Sequence, residues 1–118
     1  MSAYAVRLGV RLFSPDGEKC FGPGIAELLE RILRDGSLRK AAGEMGMAYS
    51  RAWNVVNECE RALGYEIIAR SVGGRAGGGS RLTEKGMYLL TSYRKLEAEL
   101  NEQAAVTAAA LFPTAETE

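Results

Sequence analysis

Apolar residues first fall at every second position. Val6, Leu8, Val10 and Leu12 alternate with Ala5, Arg7, Gly9 and Arg11, which predicts a half-buried strand. Ser14-Pro15-Asp16-Gly17 closes it with strong turn residues. The period then becomes helical. Behind Phe21-Gly22-Pro23-Gly24, residues Ile25, Leu28, Leu29, Ile32 and Leu33 fall at i, i+3, i+4, i+7 and i+8. They predict an amphipathic helix of about a dozen residues, stopped at Asp35-Gly36. A second stripe, Leu38, Ala41, Ala42 and Met45, follows the natural N-cap Ser37 and ends at Gly46. After Met47 and Ala48 a third begins: Ala52, Val56, Cys59 and Leu63, with Trp53 on its flank. Two short strands are expected next, Glu66–Arg70 and Ser80–Leu82, around a glycine-rich loop. From Thr83 one long helix is predicted, with a narrow stripe of Leu89, Tyr93, Leu96 and Leu100 that Ala104 extends.

Two helices joined by the Gly46-Met47-Ala48 turn form a helix-turn-helix unit, whose second helix can enter the major groove of DNA. Ser50, Asn54, Asn57 and Arg61 point away from its buried stripe, with Arg51 beside them. An ordinary helical hairpin with a solvated polar face has the same pattern, so the spacing alone does not name DNA. With the flanking elements, the expected fold is mainly α with small β. It is a winged helix-turn-helix with an N-terminal strand, a β-hairpin wing and a long C-terminal dimerisation helix. The expected division is residues 1–82 for the DNA-binding domain (helix-turn-helix 37–64, wing 66–82), 83–112 for the dimerisation helix and 113–118 for a frayed tail.

Composition narrows the classes. At 118 residues, 47% hydrophobic and 25% charged, the chain suits one folded soluble domain. No apolar run approaches a membrane span, and arginines interrupt the N-terminal apolar stretch, so neither a membrane segment nor a secretory leader is expected. Cys20 and Cys59 lack metal or redox spacing and are expected to be structural thiols in a cytoplasmic protein. The formal net charge is zero, yet residues 37–86 carry eight basic and five acidic groups while residues 87–118 carry two and five. Phosphate contacts depend on such local positive surface. There is no histidine, and no carboxylate pair or cysteine constellation replaces it. No catalysis, metal or cofactor is expected.

The segment VGGRAGGG holds five glycines in eight residues. It is no phosphate-binding loop, because Ser80-Arg81 and a strand follow instead of Lys-Ser and a helix. The choice lies between a floppy hairpin tip and a wing whose bare backbone approaches the sugar-phosphate chain. In the wing reading Arg70, Arg75 and Arg81 supply charge, and Gly73, Gly74, Gly77 and Gly78 permit the approach.

Gly36-Ser37, Ala41-Ala42, Gly46, Tyr49 with Ala52-Trp53, and Asn57-Glu58 stand in a familiar order. With Val72 to Gly79 running into Arg81-Leu82-Thr83 and Gly86, the chain resembles the N-terminal DNA-binding domain of the ModE family of molybdate-responsive regulators, relatives of the LysR-type winged helices. The resemblance covers roughly residues 4–100. It implies a homodimer on double-stranded DNA with a pseudo-palindromic operator. By position it puts Tyr49, Ser50, Arg51 and Asn54 near DNA, with Trp53 as a core anchor and Arg39 and Lys40 on phosphate. Two departures stand out. Ala48 replaces the usual Ser cap, and the chain leaves no room for the family's molybdate-binding domains, so no directly bound molybdate is expected. The dimer interface is expected along Leu89, Tyr93, Leu96 and Leu100. The competing expectation is a protein-interaction module that uses the same fold without DNA.

Overall fold

A computed structural model describes residues 3–70 and 79–114. Its elements run β1 (Leu12–Phe13), β2 (Lys19–Phe21), α1 (Pro23–Asp35), α2 (Leu38–Glu44), α3 (Tyr49–Leu63), β3 (Ile68–Arg70), β4 (Ser80–Leu82) and α4 (Glu84–Leu111). Two antiparallel pairs, β1 with β2 and β3 with β4, flank the helices. This is a winged helix with a long C-terminal helix.

Most elements follow from local chemistry. Pro23 opens α1, where its missing N–H costs nothing, and Gly36 closes it at φ +71°. Ile25, Ala26, Leu28, Leu29 and Ile32 are buried, but Leu33 lies past the core's edge and is half exposed. Cys59 and Cys20 are both buried, and the Cys59 thiol donates to the Cys20 carbonyl at 2.6 Å. Burial pushes that thiol's pKa up to about 12, which makes it unreactive.

The alternating N-terminal stretch is corrected by the structure. Only Leu12–Phe13 is strand, and it pairs with Lys19–Phe21 across the Ser14–Gly17 turn. Residues 5–11 have no neighbouring strand among the described residues, so their alternation finds no ladder; Val6 and Leu8 are 39% and 41% exposed. This segment instead runs beside α4. Ala3 N–H donates to the Phe112 carbonyl at 2.9 Å, Tyr4 meets Phe112 edge to face, and the Tyr93 hydroxyl donates to the Val10 carbonyl at 2.6 Å. The end of α4 is therefore held at Phe112, while residues 115–118 lie outside the described residues.

The start of α4 is pinned three ways. The Thr83 hydroxyl accepts from Gly86 N–H at 2.9 Å and donates to the Glu66 carbonyl at 2.7 Å, and Thr83 N–H donates to the Ile67 carbonyl at 3.0 Å. Gly86 then passes directly against the Ile67 carbonyl, where any Cβ would collide with backbone. Farther along, Arg94 forks onto Glu30 of α1 at 2.7 and 2.8 Å. Gly86→Ala is expected to lower unfolding free energy by roughly 1–3 kcal/mol, read by urea denaturation. An unchanged midpoint would show that this close approach does not hold the helix.

Candidate nucleic-acid interface

The reading unit begins at Ser37, whose hydroxyl accepts from Lys40 N–H at 3.0 Å and so caps α2. Leu38, Ala41 and Ala42 turn inward with almost no exposed surface. Gly46, at φ +69°, reverses the chain, and Met47 N–H returns to the Ala42 carbonyl at 2.8 Å. Ala48 then starts α3 with no side-chain cap, as its residue type dictates. Ala52, Val56 and Cys59 bury the inner face of α3, and Trp53 packs half-buried at the core's edge.

The opposite face stays open. Ser50, Arg51 and Asn54 are exposed on the first turns of α3. The returning strand of the hairpin is fastened to the entrance of α2. Ser80 N–H donates to the Gly36 carbonyl at 2.9 Å, and Leu38 N–H donates to the Ser80 hydroxyl at 3.3 Å. Exposed Arg81 follows on β4, so it is carried at a fixed offset from α2. No local sequence signal shows this clamp, because its partners lie more than forty positions apart.

Charge is distributed unevenly over this surface. Arg31 bonds Glu27 and Glu44, Arg34 bonds Asp35 and Glu44, and Lys40 stands 3.9 Å from Asp35. The Arg34 hydrogen bond holds the Asp35 carboxyl below its ordinary pKa. Arg61 reaches Glu18 at 3.8 Å. Arg39, Arg51 and Arg81 have no ion pair among the described residues. Arg39 instead lies over the Tyr49 ring, 4.0 Å from its centroid, and Tyr49 meets Trp53 edge on. The Arg39–Tyr49 contact was also invisible in the sequence, since it joins two helices across the turn.

The other expected residues fall as follows. Tyr49 is the first residue of α3 and is 38% exposed. The side chain of Arg70, and all of Gly73, Gly74, Arg75, Gly77 and Gly78, lie outside the described residues. The expected seam on α4 divides. Tyr93 is not on an open seam: it is 1% exposed, edge-on to Phe21 with centroids 5.0 Å apart, because the N-terminal half of α4 packs on its own core. Leu89 is partly buried against that core, whereas Leu96 and Leu100 are 38% and 40% exposed. No helix among the described residues is long and apolar enough to cross a membrane.

Paired helices around a glycine turn, an open polar face on the second helix and an adjoining β-hairpin define a winged helix-turn-helix protein. The model of the bacterial regulatory helix-turn-helix proteins of the lysR family matches residues 26–87, more than half of the chain, and the chain belongs to that family. It is similar to the molybdenum transport protein ModE of Azotobacter vinelandii, with 38% identity over 72 residues, 61% of this chain and 27% of that protein. It is also similar to the molybdenum-pterin-binding protein MopA of Rhodobacter capsulatus, with 36% identity over 64% of this chain and 28% of the relative. The DNA-binding transcriptional dual regulator ModE of Escherichia coli K12 is 33% identical over 70% of this chain and 31% of its own length. The matched segment thus spans under a third of each of these relatives, and its helix-turn-helix is of the ModE type.

Proposed function

We propose that this chain is a sequence-specific, DNA-binding transcriptional regulator that works as a homodimer. The observation that carries the reading is the exposed start of α3, where Ser50, Arg51 and Asn54 stand together and Arg51 has no carboxylate partner among the described residues. A helix presented this way fits the major groove, where Arg reads guanine by bonding two acceptors at once and Asn suits adenine. Arg39 and Lys40 would take phosphates. Arg70, Arg75 and Arg81, with Gly73, Gly74, Gly77 and Gly78, would follow the backbone as the wing. A link to molybdenum or oxyanion metabolism rests on kinship with the ModE and MopA relatives alone. We place no molybdate site in this segment, whose role is reading.

The dimer reading rests on α4. Its 28 residues extend about 42 Å at ~1.5 Å per residue, well past the core. From Tyr93 onward the N-terminal segment is anchored along it, Val10 at Tyr93 and Ala3 at Phe112, yet Leu96, Leu100, Val106 and Leu111 remain exposed. Val6 and Leu8 of that segment add to the apolar surface. Apolar surface of this kind fits a second copy, and a two-fold pair of reading heads suits a pseudo-palindrome with half-sites about 34 Å apart.

Titration of the protein with mixed-sequence duplex should show affinity falling steeply as salt rises. On the cognate site, Arg51→Ala should cost about 1–3 kcal/mol and relax base preference. Absence of duplex binding even at low salt would overturn the DNA reading in favour of a protein-interaction module. Sedimentation equilibrium should show a dimer that the paired change Leu96→Glu and Leu100→Glu converts to monomer. A monomeric parent, or a variant that stays dimeric, would contradict the seam.

A further inference from the structure

Arg39 is the second residue of α2 and Tyr49 the first of α3, and their side chains meet across the turn. The ring of Tyr49 is itself braced by Trp53, with centroids 6.4 Å apart and planes at 85°, and Trp53 packs on the core. A guanidinium over a tyrosine face is held by the ring's quadrupole, which restrains the side chain without consuming its N–H donors. Those donors meet no acceptor among the described residues. The neighbouring cations differ: Lys40 stands beside Asp35, while Arg31 and Arg34 share Glu44. Among the described residues, Arg39 is thus the cation at the head of α2 that is both oriented by a ring and without a carboxylate partner.

Tyr49 itself points elsewhere than the reading face. Its position on α3 lies on the side of Val56, a full two turns away, and its exposure comes from standing at the helix tip. We propose that Tyr49 is a positioning residue whose ring presents Arg39 to a DNA phosphate beside the groove that α3 enters. The inference rests on the DNA reading above and deepens it. It makes Arg39–Tyr49–Trp53 one unit linking the core to the phosphate backbone, and it assigns the Tyr49 hydroxyl no contact.

The test uses the whole chain and a mixed-sequence duplex, with anisotropy titrations over a salt series and a urea transition for each variant. Arg39→Ala should weaken binding roughly fivefold to tenfold and lower the salt slope by about one. Tyr49→Phe keeps the ring and should match the parent. Tyr49→Ala should weaken binding roughly threefold, the size of an exposed cation–ring contact, and should add nothing on the Arg39→Ala background. Loss of affinity in Tyr49→Phe, or additive losses in the double variant, would overturn the positioning role while leaving duplex binding intact. A parent that binds no duplex would overturn the DNA reading along with it.

Discussion

The architecture depends on how closely α2 and α3 approach the core they share. Ala41, Ala42 and Ala52 are all essentially without exposed surface, and their small side chains let the helix backbones come near. Gly46 at φ +69° completes the constraint, because a side chain there would be strained in the left-handed conformation that reverses the chain. Everything that faces outward is set by that inward contact. The direction of α3 fixes Ser50, Arg51 and Asn54, and the tightness of the turn brings Tyr49 under Arg39. Larger residues at the alanine positions would force the helices apart, with both consequences lost together.

The electrostatics reinforce the same surface. A chain of zero net charge presents a usable basic face only if its carboxylates are engaged elsewhere. Here Glu27, Asp35, Glu44, Glu30 and Glu97 are bound to arginines that brace α1, α2 and α4. These exposed pairs add little stability individually. With those carboxylates engaged, Arg39, Arg51 and Arg81 have no ion pair among the described residues. The Ser80 clamp to Gly36 and Leu38 holds the third of these at a set offset from the first two.

What the residue pattern showed was whatever depends on one element at a time. The stripes of Leu38, Ala41, Ala42 and of Ala52, Val56, Cys59 are local periodicities, and the caps at Ser37 and Gly36 are local chemistry. Alternation at Val6, Leu8 and Val10 misled because strand formation needs a partner that the pattern cannot supply. Tyr93 misled for a related reason: a heptad-like stripe does not say whether its partner is the same core or another chain. The β1–β2 pairing was hidden because Lys19–Phe21 is too short to display a period. Arg39 on Tyr49 and Ser80 on Leu38 join separate elements, so only the packed structure brings them together.

Heteronuclear chemical-shift mapping of the labelled chain with duplex DNA tests most directly whether the α2–α3 face and the returning strand of the hairpin meet DNA. Shifts should concentrate at residues 37–40 and 49–54 and along 79–82, with the distal part of α4 little affected by DNA itself. Shifts confined to the cleft lined by Tyr65, Met87 and Tyr88, or spread evenly over every exposed cation, would contradict that contact.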